Sequence, residues 1–499
     1  MSFVDALIFG FYQAGTVNNL MFCVGGVLLG TLVGVLPGLG PMATVSILLP
    51  MTYSTGDPLA SIILLAGIYY GAQYGGSTTA ILLRLPGEAS SLVTMLDGNK
   101  MALNGRAGAA LSIAAMSSFF AGTVATLLIA VAGEPMANFA IKFGPAEYTA
   151  LLIMGLVICV TITDGDALGS GIVLLIGILF GLVGTDVNSG VPRFEFGSYE
   201  LLDGLSFGVL AMGVFGLSEI LWNMLHEPKT PSPKPITLKD MYPTRKEFNN
   251  SIGATFRGTT VGSIIGLIPG AGVTVSSFFS YAFEKQISKH PEKFGTGIVE
   301  GIAAPESANN AAAQTGFIPM LSFGIPTTPL MALMVGALVM QGIQPGPHVI
   351  STNPELFWGL IASMWIGNCI LLILNLPMIG IWVKVLQVPR IILFPVIMSA
   401  CLYGAYSLNN NMFDVWMLIP FTLLGYLLKW LDINPTPMAL GFIVGPLLEE
   451  TFRRSLIISQ GEWDTFVQSP ISISILSITV MSILVKLYTA SISSKYKND

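Results

Sequence analysis

Charge is what this 499-residue sequence has least of: Asp, Glu, Lys and Arg make up 10% of it, and 53% is hydrophobic. A soluble domain carries roughly 25% charged residues, so this chain cannot cover a soluble surface of its size. Apolar stretches of about 20 residues, long enough to cross ~30 Å of hydrocarbon as a helix, recur along nearly the whole length. The composition therefore indicates an integral membrane protein that crosses the bilayer many times.

Cysteine and histidine are scarce as well, which argues against a disulfide framework or a metal centre. The four cysteines lie in apolar runs without any CxxC pair, and the three histidines are scattered over polar connections. We expect no firm metal site, no cofactor and no nucleic-acid partner. The absence of a GxxxxGK[ST] phosphate loop disfavours an ATP-driven pump. No basic segment precedes the first apolar run, so we expect no cleaved signal peptide.

The apolar runs predict an all-α polytopic membrane protein with about 12 transmembrane helices, together with re-entrant or broken helices. Several shorter apolar pieces lie between the clearest runs, so a broken segment can be counted as one span or as two. The clearest runs are 17–36, 59–83, 107–133, 146–163, 168–184, 205–225, 298–322, 355–383, 391–406, 413–430 and 466–490.

Two copies of one motif divide the chain into related halves. GTLVGVLPGLGP, at Gly30–Pro41, matches GSIIGLIPGAGV, at Gly262–Val273, in one constant register without an insertion. A second pair of proline breaks follows, at Pro86 and Pro326, and one short insertion brings this pair into the same register. A proline-rich, charged stretch separates the copies. We predict an N-terminal transmembrane repeat over 1–225, a cytoplasmic linker over 226–250 and a C-terminal transmembrane repeat over 251–499.

The placement of Lys and Arg predicts opposite orientations for the two copies. No basic residue precedes Arg84, so the positive-inside rule places both flanks of the first motif outside the cytoplasm. Basic residues flank the second motif on both sides, so both of its flanks should be cytoplasmic. Each arm around Pro269 has ~11 residues, about 16 Å of helix, which is too short to span alone. We therefore predict a re-entrant hairpin there and, at the first motif, either its mirror image or a full crossing.

Proline and glycine breaks inside an apolar run need a reason, because irregular backbone is tolerated at that depth only where it is buried or lines a cavity. Inverted repeats with interrupted helices are typical of secondary transporters, whose substrates and ions bind at the breaks. A half-helix that begins after a Pro-Gly turn presents free N–H groups and a positive dipole end to an anion. The predicted breaks are Pro37, Pro86, Pro269 and Pro326.

The residues at and just after these breaks form the predicted substrate site. A coupling Na⁺ would lie near Gly38, Gly270 and Asn310, because half-helix C-termini offer carbonyl groups to a cation; H⁺ is the alternative ion. The predicted site comprises Gly38, Leu39, Gly40, Thr44, Gly76, Ser77, Thr78, Thr79, Gly270, Ala271, Gly272, Thr274, Asn309, Asn310, Pro326, Thr327 and Thr328.

Each of these residues also has a structural interpretation. The glycines could only pack helices closely, and a serine or threonine could bond its own backbone. Asn309 and Asn310 could join two helices instead of binding a ligand. Arg84 could contribute to specificity through its planar guanidinium, or it could anchor the chain at the cytoplasmic face. Glu306 is interpreted as a membrane-edge group, structural rather than coupling.

The motifs of both halves, in their order, resemble the large membrane subunit, TctA, of the tripartite tricarboxylate transporters. Arg84 and DGNKMA depart from that resemblance, since Asn and DGYxMA are more usual in the family, so citrate should not be assumed as the substrate. The matching elements are GVLPGLGPMATVSILLP, YGGSTTAILLRLPGEASSLVTMLDG, GLIPGAG, APESANNAAA, FGIPTTPLMALMVGAL, QGIQPGP and GPLLEETFRRSL.

The resemblance implies a multi-pass permease of the bacterial inner membrane that imports di- or tricarboxylates by symport with Na⁺ or H⁺. It further implies two partners, a small membrane subunit like TctB and a periplasmic solute-binding protein like TctC, and it is compatible with a homodimer. A passive anion channel is an alternative. So is an intramembrane enzyme acting on a lipid-linked substrate through Asp164, Asp166 and Glu306, but the sequence shows no clustered acid–base constellation, and we expect no enzyme.

Overall fold

The structure is a computed structural model that describes residues 2–36, 41–84, 88–162, 167–186, 189–226, 238–268, 272–385 and 390–497. Several predicted residues lie outside these ranges. They are the proline breaks Pro37, Pro86 and Pro269, the predicted site residues Gly38, Leu39, Gly40, Gly270 and Ala271, and the carboxylates Asp164 and Asp166.

Helices account for nearly all of the described chain, which confirms the predicted all-α class. The helices are α1 (Phe3–Ala14), α2 (Val17–Val35), α3 (Pro41–Ser54), α4 (Pro58–Leu83), α5 (Thr94–Met101), α6 (Ala107–Ala140), α7 (Pro145–Ile162), α8 (Ala167–Gly181), α9 (Phe207–Ala211), α10 (Ser218–Leu225), α11 (Arg245–Ile265), α12 (Gly272–Ile287), α13 (Glu300–Thr315), α14 (Phe317–Phe323), α15 (Pro329–Met340), α16 (Val349–Thr352), α17 (Pro354–Asn375), α18 (Ile379–Val385), α19 (Arg390–Asn409), α20 (Met412–Trp430), α21 (Thr436–Ile458) and α22 (Pro470–Lys497).

Short irregular elements join these helices. Wider π-helical turns connect α9 to α10 and α5 to α6. The first pair runs on as one longer helix, whereas Gly105, with a φ of +78°, kinks the chain between α5 and α6. Two-residue strands, β1 (Gly184–Thr185) and β2 (Pro192–Arg193), pair antiparallel. Short 3₁₀ turns lie at Ala89–Leu92, Tyr199–Leu201, Leu238–Met241, Pro291–Lys293 and Trp463–Val467.

Among the described residues, five helical segments are long and apolar enough to cross a membrane, so the predicted number of about 12 is not confirmed. Some predicted spans are divided: the run 298–322 becomes α13 and α14, which meet at Gly316. Further apolar helices of 10–17 residues add to the five. The five segments are Val17–Val35, Thr94–Ala140, Phe207–Leu225, Pro354–Asn375 and Met412–Trp430.

Rows of glycines hold corresponding helix pairs of the two halves in close contact. Added at Gly30, a Cβ atom would lie 2.5 Å from the carbonyl oxygen of Ile68 on α4; at Gly262, it would lie 2.6 Å from the Cα of Ala308 on α13. Only glycine allows backbones to approach so closely. The sequence repeat is therefore also a packing repeat, because the glycines of α11 follow those of α2 in the register of the two motifs. The two rows are Gly26, Gly30 and Gly34, and Gly258, Gly262 and Gly266.

Around the second motif, α11 and α12 pack against each other as two helical arms. The arms are longer than the ~11 residues predicted, with 21 residues in α11 and 16 in α12. The difference arises because α11 begins in the polar sequence before the motif, where Thr244 and Glu247 form a reciprocal cap. The Arg257 guanidinium then binds the Glu284 carboxylate through two hydrogen bonds of 2.8 and 2.6 Å, which tie the arms together.

Helix α13 lies at the centre of the fold and is buried from Gly301 to Thr315. It packs against α4, α5, α6, α11 and α12. Its sequence, EGIAAPESANNAAAQT, is built of small and polar residues, which lets these five helices approach its backbone. The polar side chains of α13 therefore face other helices of the protein.

Candidate functional site

A cavity of about 690 Å³ lies between the two halves of the chain. The lining residues come from the segments just after the predicted breaks, from α4, from the segment around the start of α10 and from the C-terminal helices. Residues on α3 and α12 represent the first pair of motifs, and residues beside α15 and the 3₁₀ turn at Ala89 represent the second pair. These lining residues are Pro41, Met42, Ala43, Glu88, Ala89, Ser90, Val273, Thr274, Thr328, Pro329 and Leu330.

Four helices begin at this cavity: α3, α12, α15 and α21. The first N–H groups of a helix lack partners within the helix, and its N-terminus carries a partial positive charge. At two of these ends a side chain accepts a hydrogen bond from an N–H group of the first turn. The Thr328 hydroxyl accepts a hydrogen bond from the Met331 N–H (3.2 Å), and Asn434 Oδ1 accepts one from the Thr436 N–H (2.9 Å). The convergence of four helix N-termini makes the cavity suited to an anion.

The two halves contribute equivalent positions to the cavity. In the register of the first pair of motifs, Pro41 and Met42 correspond to Val273 and Thr274. In the register of the second pair of proline breaks, the segment 88–90 corresponds to 328–330. Equivalent segments of the two sequence repeats therefore line the same cavity.

Charged side chains at the cavity wall are mainly acidic. Glu88, Glu219 and Asp432 line it, and among the described lining residues Lys429 is the one basic side chain. The Lys429 ammonium binds the Glu219 carboxylate and lies 5.5 Å from the centre of the Trp222 ring. The described wall therefore carries more acidic than basic side chains.

A hydrogen-bonded group occupies the wall where α4 meets the 3₁₀ turn. The Ser90 hydroxyl donates to Gln73 Oε1 at 3.0 Å and is 3.4 Å from Glu88 Oε2. Gln73 and Ser90 are both buried. They supply neutral polar groups that could orient a solute carrying hydroxyl or carboxyl groups.

Thr274 and Thr328, from the predicted site, line this cavity. Gly272 adjoins them with a φ of +59°, a conformation that favours glycine, and a Cβ there would lie 3.4 Å from Thr328 Cγ2. Thr44 lies on the first turn of α3, directly after the lining residue Ala43. Pro326 and Thr327 are buried just before α15.

Other predicted residues gather around a second, smaller cavity of about 10 Å³. Its lining includes Ser77, Thr78 and Glu306. The Glu306 carboxylate accepts hydrogen bonds of 2.6 Å from the hydroxyls of Ser77 and Thr94. The Glu306 side chain, interpreted from the sequence as a membrane-edge group, is 0% exposed, because α13 is surrounded by other helices of the protein.

The adjacent amides of α13 have different surroundings. Asn310 Nδ2 donates to the Ser118 hydroxyl at 2.7 Å and to the Glu306 carbonyl oxygen at 3.1 Å. Asn309 is 1% exposed, and neither polar atom of its amide has a hydrogen-bond partner. Asn310 thus joins α13 to α6, in line with its structural interpretation, whereas Asn309 keeps an unsatisfied amide.

The remaining described residues of the predicted site line neither cavity. The Thr79 hydroxyl donates to the carbonyl oxygens of Gly34 (3.1 Å) and Val35 (3.0 Å), at the end of α2. Gly76 packs against Gly34. The exposed Arg84 ends α4 in the left-handed conformation, with a φ of 56°, and is absent from the cavity lining.

Sequence reasoning missed several lining residues. Gln73 had a usable signal, since it precedes Ser77 by one helical turn on the same face of α4. The residues supplied by α10 and by the segment around α20 and α21 had none, because those elements carry neither motif. The missed polar residues are Tyr69, Gln73, Glu88, Ser90, Ser218, Glu219, Lys429, Asp432, Asn434 and Thr436.

Comparison with protein families agrees with this architecture. The model of the Tripartite tricarboxylate transporter TctA family matches residues 20–440. The chain belongs to this family. The match includes both copies of the motif and confirms the family resemblance. As a TctA-family protein with several apolar helices, it is a multi-pass membrane protein and a component of a tripartite tricarboxylate transporter.

Two relatives of this TctA-family chain come from Agrobacterium vitis. The uncharacterized 52.8 kDa protein in the TAR-I ttuC' 3'region is 51% identical over 498 residues, which is 99% of this chain and 98% of the relative. The uncharacterized protein in the TAR-II ttuC' 3'region is 54% identical over 234 residues, 47% of this chain and 96% of the relative. No solved structure matches the chain.

Proposed function

We propose that this protein is the large permease subunit of a tripartite, binding-protein-dependent system that imports di- or tricarboxylates or related organic anions. The observation that carries the proposal is the convergence of four helix N-termini from both halves on one cavity. Helix N-termini bind carboxylate groups through their N–H groups and their dipole. A solute with two or three carboxylates could engage several helix ends together.

An ion gradient drives this import in our proposal. The cavity wall carries three carboxylates and Lys429, so an organic anion would meet repulsion unless cations entered with it. Symport with Na⁺ supplies that compensation, and H⁺ could replace it. The inverted arrangement of the repeats, predicted from the basic residues, would let the cavity open to either side in turn.

The system would work in the inner membrane of a bacterium with two further proteins. A solute-binding protein in the periplasm would deliver the anion, and a small membrane subunit would accompany the permease. Both partners, as well as a homodimer, are proposed from the family membership. The permease itself would bind and translocate the solute without a cofactor or a chemical step.

Uptake into sealed vesicles tests this function. The protein is reconstituted with its two partner proteins, and a panel of labelled di- and tricarboxylates is offered under an imposed Na⁺ gradient, an imposed H⁺ gradient or neither. We expect one or a few of the anions to accumulate above the external concentration, and only with a gradient. Equilibration without accumulation would support a passive channel instead, and conversion of the solute would indicate an enzyme.

A further inference from the structure

We propose that the small cavity beside Glu306 is a binding site for one Na⁺ ion. Its ligands would be the Glu306 carboxylate, Asn375 Oδ1 and neighbouring hydroxyl oxygens. The inference rests on the proposed function only for the role of the ion as a coupling ion, since the site itself follows from the geometry. The lining residues are Tyr74, Ser77, Thr78, Leu111, Ala114, Ala115, Ser118, Glu306 and Asn375.

The charge of Glu306 is the first argument. The carboxylate is fully buried, and none of the described Lys or Arg residues forms an ion pair with it. Its partners are the neutral hydroxyls of Ser77, Thr94 and Ser118. A buried carboxylate is unfavourable unless a proton or a cation neutralises it. In its ionised form, Glu306 would offer one negative charge to one monovalent cation.

Asn375 supplies an independent second argument. It lies at the end of α17, is 4% exposed and lines the same small cavity. Its Nδ2 group donates to the Leu371 carbonyl oxygen at 2.9 Å, which leaves Oδ1 buried without a hydrogen-bond partner. A buried carbonyl oxygen of this kind is costly unless something binds it. A cation between Oδ1 and the Glu306 carboxylate would satisfy both groups.

Size and ligand type favour Na⁺ over a larger or more highly charged ion. The cavity volume of about 10 Å³ leaves room for a particle about the size of one water molecule. Its polar groups are a carboxylate, an amide and hydroxyls, all of which offer oxygen. Divalent cations are usually held by more than one carboxylate or by several waters, and this cavity has one carboxylate and little space.

The site lies one helical turn from the large cavity along α4. The side chain of Gln73 lines the large cavity, whereas its carbonyl oxygen accepts a 3.1 Å hydrogen bond from the Ser77 hydroxyl. Ser77 in turn donates to Glu306. An ion bound to both Ser77 and Glu306 would replace this hydrogen bond, and would thus change the position of the wall that Gln73 and Ser90 form. This path gives the ion a physical connection to the solute.

Binding of radioactive sodium by the purified full-length protein in detergent tests the site without any transport. We expect saturable binding by the wild type, loss of at least tenfold in affinity in Glu306→Gln and in Asn375→Leu, and a Na⁺-dependent rise in melting temperature only in the wild type and the control. Asp414→Asn is the matched control, because Asp414 is a second buried carboxylate with an amide partner, Asn409, of its own.

Unchanged sodium binding in a folded Glu306→Gln protein would overturn the site, and so would a wild type that binds no sodium. A folded protein is recognised by a single symmetric peak in size-exclusion chromatography. If Glu306→Gln does not fold, Asn375→Leu decides in its place. The proposed function fails separately. If the wild type binds sodium at Glu306 but accumulates no organic anion, the sodium site is supported and the proposed transport is contradicted.

Discussion

Ser77 and Glu306 are 229 residues apart in the sequence, yet the Ser77 hydroxyl donates a 2.6 Å hydrogen bond to the Glu306 carboxylate. The first residue belongs to α4 in the N-terminal half and the second to α13 in the C-terminal half. Each of these helices packs on the glycine row of its own half. The halves are therefore joined at two corresponding buried helices, at the wall of the small cavity.

The glycine rows predict a strong size limit at Gly30 and Gly262. We expect Gly30→Val and Gly262→Val each to lower the free energy of unfolding by about 1–3 kcal/mol, because the added carbons would overlap backbone atoms of the facing helix. The measurement is the melting temperature of the purified protein followed by size-exclusion chromatography. Gly380→Val is the control, because no atom lies within 4 Å of a Cβ at Gly380; an equal loss there would refute the packing argument.

The positions of Thr274 and Thr328 in the cavity wall predict that removing either hydroxyl lowers the affinity for the solute. Removing one hydroxyl from the cavity wall removes a hydrogen bond of about 0.5–1.5 kcal/mol, so Thr274→Val should raise the KM of uptake about two- to tenfold. Thr328→Val should do the same and also weaken the start of α15. Thr260→Val serves as the control, since the hydroxyl of this exposed residue bonds its own helix at Phe256. Equal KM values in all three variants would show that the hydroxyls of Thr274 and Thr328 do not contribute to solute binding.

The ion pair between Lys429 and Glu219 predicts that the two residues act together. Lys429→Met should reduce uptake more than Glu219→Gln, because it removes the basic side chain from the wall and leaves an unpaired carboxylate near the anion. The double variant Glu219→Gln, Lys429→Met should recover part of the loss, as expected for residues in contact. Initial rates of uptake for the four proteins provide the test, and strictly additive losses would contradict the pairing.

The hydrogen bonds of Asp97 predict that this residue stabilises the segment before α13. Its buried carboxylate accepts hydrogen bonds from the N–H groups of Gly295, Gly297 and Ile298 (2.8–3.0 Å) and from the Tyr281 hydroxyl (2.8 Å). Asp97→Asn points an NH₂ group or a neutral oxygen at these donors, so we expect a loss of about 1–3 kcal/mol in unfolding free energy.

Thermal unfolding of Asp97→Asn, compared with the exposed Asp203→Asn, measures that loss. The two variants change the net charge equally and differ in burial and partners. A melting temperature of Asp97→Asn within error of that of Asp203→Asn would show that the four donors contribute nothing to stability.

The features of the fold that depend on local residue chemistry could be predicted from the sequence. Apolar composition predicts helices, and proline with glycine predicts where a helix ends and the next begins. The register of the two motifs predicts that Met42 and Thr274 occupy equivalent places, and both line one cavity. Thr274 and Thr328 were accessible to prediction for the same reason, since each follows a break closely.

The parts that sequence reasoning missed depend on packing between distant segments. Glu219 and Lys429 come from helices without a repeat motif, and their salt bridge exists only because α10 and α20 are neighbours. Glu306 looked like an edge residue because its hydroxyl partners belong to α4, α5 and α6. The number of spans was also uncertain, because a run such as 298–322 is continuous in hydropathy and still divides at Gly316.

One measurement tests most directly whether both halves enclose a single organic-anion site. Single cysteines are placed at Met42 and Thr274 in a Cys369→Ala background, since the other three native cysteines are buried, and their labelling by a water-soluble thiol reagent is timed with and without the transported anion. We predict that the anion slows labelling at both positions and leaves a cysteine at the exposed Tyr12 unaffected. Protection at only one position, or at neither, would contradict a shared site.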